Sequence, residues 1–309
     1  MSSPHSAVIS LTNLTKKFGN VTAVDTINLT VNKGEVVGFV GPNGAGKTTT
    51  ISMLLGFLGA SDGHIELLGQ VITPANAHRL HSRIGYVAGD MELFDNLTGH
   101  QYLTFLASIT GRDKTHFTQL CAQLQPTLGK PLKKLSRGNK QKVALVGALQ
   151  HQPELIIFDE PTSGLDPIMQ ETFLDLIHER HEAGATVFMS SHILSEVAKA
   201  CDRVIFMKDG TILQDTSVVA VEKEAGKRIV IDAKQDDVHK IKATAPDKLE
   251  LISEHAGQLI YQLHDTDHAN PILKWLSAYD LRDVDIHERE LDDIFRHLYT
   301  SEKSQRDKK

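Results

Sequence analysis

Apolar and polar positions alternate between residues 8 and 31, as in Val8-Ile9-Ser10-Leu11 and Ile27-Asn28-Leu29-Thr30-Val31. A period of two places successive side chains on opposite faces, so this stretch predicts antiparallel strands with one face on a core. Turns are predicted over residues 17–20 and at Asn32-Lys33-Gly34. Residues 35–40 break the alternation with a nearly continuous apolar run, the mark of a strand covered on both faces. Similar runs follow at 155–158, 186–190 and 204–207. Between them the spacing is helical over 48–58, much of 99–149, and 168–183. Strands alternating with helices predict an α/β sheet with parallel strands. Beyond about residue 215 the pattern shifts to short strands at 229–233, 249–253 and 259–263, with helices at 272–278 and 291–299. The expected organisation is a large α/β domain over 1–215, a small α+β domain over 216–300 and a charged tail over 301–309.

Apolar residues make up 40% of the 309, enough to bury a substantial core. The net charge is -6, which argues against a duplex nucleic-acid binder, and no nucleic-acid partner is expected. No apolar run approaches the roughly 18–20 residues that span a bilayer, and Met1-Ser2-Ser3-Pro4-His5 lacks the features of a signal peptide. The chain is expected to be soluble and to reach a membrane only through a partner. Cys121 and Cys201 form no paired motif and read as reduced thiols. His178 with His181, and His264 with His268, lack the rest of a metal site.

Candidate chemistry begins at Gly41-Pro42-Asn43-Gly44-Ala45-Gly46-Lys47-Thr48-Thr49, which fits the phosphate-loop pattern between a predicted strand and a predicted helix. Its glycines let backbone N–H groups point at phosphates, and the following helix adds its positive end. Lys47 offers a full charge to the outer phosphates, and Thr48 a hydroxyl to Mg²⁺. A second feature is the apolar strand Leu155-Ile156-Ile157-Phe158, which ends in Asp159-Glu160. Asp159 can hold Mg²⁺, directly or through water, and Glu160 can polarise an attacking water. Alone, such a strand end reads more readily as solvated carboxylates. Beside a phosphate loop it becomes the expected Mg²⁺ carboxylate. ATP and Mg²⁺ are therefore the expected ligands.

These residues carry a resemblance to the ATP-binding cassette (ABC) family. Leu135-Ser136-Arg137-Gly138-Asn139-Lys140-Gln141 is similar to its Leu-Ser-Gly-Gly-Gln signature, Glu160-Pro161-Thr162-Ser163-Gly164-Leu165-Asp166-Pro167 to its D-loop stretch, and Ser190-Ser191-His192 to its switch histidine. The resemblance implies a P-loop ABC ATPase fold with an antiparallel β subdomain and a helical subdomain at about 90–150. It implies that two cassettes, identical or paralogous, close head to tail on two MgATP. Ser136, Arg137, Gly138 and Asn139 would then meet the ATP bound on the opposite subunit, and Asp166 would cross the interface. His192 would contact the γ-phosphate, and Phe18 would stack on adenine, where packing into a core is the other reading. Two departures stand out. Gly89 takes the place of the family's usual glutamine after Ile84-Gly85-Tyr86-Val87-Ala88, leaving Asp90 as a water-mediated substitute, and Arg137 and Asn139 replace a glycine and a glutamine.

The absence of a coiled-coil insert and of a second cassette favours a transporter subunit driving separate integral membrane permease subunits. The alternative is a soluble, ribosome-associated or regulatory ABC ATPase. The helical region would receive the permease, with Leu93, Phe94, Leu97, Tyr102 and Phe105 as candidate lining, or else as ordinary helix core. The final domain loosely resembles the extension of ABC-2-type exporters, as does Leu291-Asp292-Asp293-Ile294-Phe295. Export and a place on the cytoplasmic face of the cell membrane are thus expected.

Overall fold

The alternating N-terminal stretch forms β1 (Ala7–Phe18) and β2 (Val21–Asn32), paired antiparallel. The structure, a computed structural model, describes residues 6–89, 93–110, 115–255, 257–263 and 270–288, and the elements given are those of these residues. The buried run that follows is β3 (Val36–Val40), which leads through the glycine loop into α1 (Lys47–Leu54). That helix is shorter than the spacing predicts. Gly56, at φ 72, has left-handed backbone that ends it, and an added Cβ there would meet Ala77 Cβ at 2.2 Å. A hairpin of β4 (Asp62–Leu67) and β5 (Gln70–Ile72) then extends the first sheet to the order β2-β1-β4-β5. This hairpin is absent from the pattern expected of the sequence, because β4 buries only Ile65 and Leu67 and its apolar signal is faint.

After β6 (Ile84–Val87) come the helices α2 (Gly99–Thr110), α3 (Thr115–Leu124) and α4 (Arg137–Leu149). The chain continues through β7 (Leu155–Asp159), α5 (Pro167–Glu182), β8 (Thr186–Ser191), α6 (Leu194–Ala200), β9 (Arg203–Lys208) and β10 (Thr211–Ser217). The second sheet has the order β10-β9-β3-β8-β7-β6, and β9, β3, β8, β7 and β6 run parallel. Every residue of β3, β7 and β8 is buried, which is why these strands read as continuous apolar runs. Side chains of both sheets and of α1 share one core that includes Leu14, Val31, Phe39, Ile51, Ile157 and Phe188.

The chain divides into compact units at Thr216/Ser217. The second unit contains α7 (Val218–Ala225), β11 (Lys227–Ala233), α8 (Gln235–Ala243), β12 (Leu249–His255), β13 (Gln258–Leu263), α9 (Asn270–Leu276) and β14 (Leu281–Glu288). From β11 onward the order is βαββαβ, with an antiparallel sheet ordered β12-β13-β11-β14, a split-βαβ topology. Ile229, Ile231, Ile241, Leu259, Tyr261 and Leu276 form its own core. The predicted helix over 291–299 and the tail over 301–309 lie outside the described residues.

Candidate active site

Parallel strands end on the same edge of a sheet, and the turns beyond β3, β7 and β8 meet there. The glycine loop after β3 wraps the Lys47 side chain, which is buried. Its Nζ donates to the carbonyl oxygens of Gly41 at 2.6 Å and Pro42 at 3.3 Å. Gly46, at φ 107, is the position that needs glycine. An added Cβ would lie 2.5 Å from the Ala23 carbonyl oxygen, so the loop packs directly on the β1–β2 sheet. Burial lowers the Lys47 pKa below the ordinary lysine value, and the charges of Glu160 and Asp159 pull it back up. Lys47 Nζ is 3.6 Å from Glu160 Oε1.

Asp159 ends β7 and is buried, whereas Glu160 projects into the opening at φ 50. A non-glycine residue in that region is uncommon and persists where its surroundings hold it, a feature of active sites. His192, beyond β8, is half exposed, and its Nδ1 lies 2.5 Å from Glu160 Oε2. Glu160 thus sits between a lysine and a histidine brought from two other loops. The opening is a cleft of about 480 Å³ lined by Asn43, Thr48, Tyr86, Ala88, Gly89, Arg137, Asp159, Glu160, Ser163 and His192. The hydroxyl of Thr48 and the carboxylate of Asp159 are hard oxygen donors, a set that fits Mg²⁺.

The other predicted residues fall into two groups. Ser136 caps α4, its Oγ accepting from the Asn139 N–H at 3.4 Å, while Asn139 Oδ1 accepts from the Thr127 N–H at 3.1 Å. Gly138 lies against the turn at Gly164, where an added Cβ would be 2.6 Å from the carbonyl oxygen. The stem of Arg137 covers Gly164, and Arg137 lines the cleft of its own chain. Asp166 caps α5 by accepting from the Met169 N–H at 3.0 Å. Phe18 is 49% exposed, with Lys16 Nζ 5.1 Å from its ring centre, so it belongs to the surface and not to a core. It does not line the cleft. An added Cβ at Gly89 would stand 3.3 Å from the Asp159 carbonyl oxygen. Asp90 lies outside the described residues.

A second cavity of about 450 Å³ opens between β6 and the helices. Of the candidate residues in the helical region, Leu93 and Tyr102 line it, and Phe94, Leu97 and Phe105 do not. Its other walls include His78, His81, Tyr86, Leu106, Ile109, Ala148 and His151, none of which the sequence marked as groove lining. Phe94, Phe105 and Ile109 are exposed. Burial, and then the charge of Asp159, push the pKa of Tyr86 up to about 12, so its hydroxyl keeps its proton. Tyr86 and Ala88 line both cavities.

The ABC transporter family model matches residues 24–163, and an AAA domain model of a type IV toxin–antitoxin system matches 130–198. The chain is 35% identical over 268 residues to the bacitracin transport ATP-binding protein BcrA of Bacillus licheniformis, covering 82% of this chain and 87% of that protein. A solved ATP-binding subunit of an ABC transporter superposes with a TM-score of 0.64 at 26% identity, covering 70% of this chain and 92% of its own. A dimeric ATP-binding cassette solved in a post-hydrolysis state with ADP and Pi shares the fold at a TM-score of 0.63 and 23% identity, covering 68% and 98%. Among the described residues no helix is long and apolar enough to cross a membrane. The chain belongs to the ABC transporter family and is an ATP-binding, ATP-hydrolysing cassette subunit.

Proposed function

We propose that this ATPase powers an exporter, closing as a head-to-tail pair on two MgATP against a separate membrane permease. The observation that carries the ATP chemistry is the convergence of Lys47, Glu160 and His192 from three loops in one cleft. The loop over residues 41–49 cradles the phosphates with N–H groups that its own fold leaves open, Pro42 having none, and Lys47 neutralises the outer charge. Thr48 and Asp159 would hold Mg²⁺, which would spread the charge of the phosphates. Glu160 takes a proton from the attacking water, with His192 holding its carboxylate and meeting the γ-phosphate. Ser136, Arg137, Gly138 and Asn139 face the nucleotide of the opposing cassette at the capped start of α4, Asp166 crosses to it, and Phe18 stacks on adenine. In this reading residues 1–215 do the nucleotide work, and 216–300 form an accessory domain.

On this reading the cavity beside Tyr102 and Leu106 receives the permease, and the chain works at the cytoplasmic face of the membrane. Exposed apolar side chains around a groove suit such an interface. Export is favoured by the bacitracin-transport relative, whose match runs through 268 residues and so extends beyond the first unit. The test is sensitivity of cells to peptide antibiotics of the bacitracin kind. Cells lacking the chain are expected to be more sensitive, and wild type but not Lys47→Ala to restore resistance. Unchanged sensitivity across such a panel would contradict the exporter reading.

A further inference from the structure

Strand register draws attention to Ser190, a residue for which the motifs supply no task. β7 and β8 run parallel with Asp159 opposite Ser190. Residues directly opposite one another project to the same face, so their side chains meet. Ser190 is fully buried. Its Oγ donates to Asp159 Oδ1 at 2.5 Å and accepts from the Glu160 N–H at 3.2 Å. A hydroxyl has one proton and two lone pairs. With the proton committed to Asp159, a lone pair is directed to Glu160, so the two bonds are compatible.

We propose that Ser190 is the positioning residue of the ATPase site, one hydroxyl setting both reacting carboxylates at once. On Asp159 it occupies Oδ1, which leaves Oδ2 as the oxygen to meet a cation or its water shell. On Glu160 it holds the N–H of a residue whose φ of 50 is unfavourable without support. The Ser190 carbonyl oxygen lies 3.3 Å from the same N–H and shares that task. The turn is braced beyond Glu160 as well. Thr162 Oγ1 donates to Glu196 Oε2 at 2.7 Å, and the buried Gln141 Nε2 donates to the Pro161 carbonyl oxygen at 2.5 Å. Held on both sides, the Glu160 carboxylate stays between Lys47 and His192. Ser190 itself touches neither nucleotide nor water and acts only through its two neighbours.

The inference rests on the assignment of Asp159 and Glu160 to ATP chemistry. Ser190→Thr and Ser190→Val share a shape and differ only in the hydroxyl, so comparing them isolates it. In the full chain, Ser190→Thr is expected to keep kcat within about threefold of wild type and Ser190→Val to lose about thirtyfold or more. Binding of a fluorescent ATP analogue in EDTA should match between the two within about twofold, since the phosphate loop is intact. The Mg²⁺ concentration that half-saturates its enhancement should rise several-fold in Ser190→Val alone. Equal kcat and equal Mg²⁺ half-points for Thr and Val would overturn the proposal. If thermal unfolding finds the branched side chains too large for the site, Ser190→Ala against wild type removes the hydroxyl without adding bulk, and an unchanged kcat and Mg²⁺ half-point in Ser190→Ala would overturn the proposal. Glu160→Gln assayed alongside separates the two levels. Normal turnover in that variant removes Glu160 as the base, while the Mg²⁺ half-point of Ser190→Val still decides the contact with Asp159.

Discussion

The first unit holds two cavities of similar size whose construction is opposite. The cleft of about 480 Å³ is polar and sits at strand ends, and its chemistry comes from short contiguous motifs. The groove of about 450 Å³ is assembled from side chains scattered between His78 and His151, on a strand, on helices and on the turns before β6. A phosphate is bound by backbone N–H groups and a few charges at fixed spacing, so the requirement is written in consecutive residues. A protein partner is bound by shape and apolar area, which many sequences satisfy equally well. The two meet at Tyr86 and Ala88, with Gly89 next in the chain, where an added Cβ would stand 3.3 Å from the Asp159 carbonyl oxygen.

That contrast can be broken from the cleft side first. Lys47→Ala should weaken MgATP binding about a thousandfold, the order expected when a buried charged contact of roughly 4 kcal/mol is lost. Titration calorimetry checks it, and retained micromolar affinity would contradict the phosphate-loop assignment. Glu160→Gln should keep nucleotide affinity while slowing phosphate release about a hundredfold, read by a steady-state phosphate assay. On the groove side, Ile109→Asp puts a charge on an exposed apolar position and should lower permease capture about tenfold. ATP affinity of the isolated chain should stay unchanged, since Ile109 does not line the cleft.

The smallest expected effect lies where α3 is seated on α5. His116 on α3 accepts at Nε2 from Arg180 Nη1 on α5 at 2.7 Å. Burial, and then the charge of Arg180, lower the His116 pKa below its ordinary value of 6.5, while Gln119 on α3 and Glu179 on α5 oppose the shift. As pH falls below 6.5 the unfolded chain therefore takes up the proton first, so stability present at neutral pH is lost through the folded pKa. His116→Gln should flatten the fall in unfolding free energy between pH 7.5 and 5.5, measured by urea titration. An unchanged slope would place the titration elsewhere.

Legibility followed the same divide. β3, β7 and β8 were readable because complete burial leaves an unbroken apolar run, and Lys47, Asp159, Glu160 and His192 because each belongs to a local pattern. The β4–β5 hairpin was not, because its turn depends on Leu68 and Gly69 at φ 51 and 77, which composition does not announce. In the second unit, α8 escaped notice because only Val238 and Ile241 are buried on it. Ser190 lay within a recognised motif, yet its task follows from the register of two strands joined by a helix, and no local spacing encodes that. Asp166 and Asn139 were expected to act across an interface. Within the chain their side chains already cap α5, as local preference favours for Asp166, and brace the Thr127 loop through Asn139.

The central claim, an ATPase that works against a membrane permease, is tested most directly by affinity capture. Tagged chain is recovered from detergent-solubilised membranes, and the proteins that come with it are identified and quantified by mass spectrometry. The account predicts a polytopic membrane protein in stoichiometric amount, reduced in the Ile109→Asp variant and retained in Glu160→Gln. Recovery of the chain from the soluble fraction alone, or with ribosomes, would contradict it and leave a cassette ATPase with a task away from the membrane.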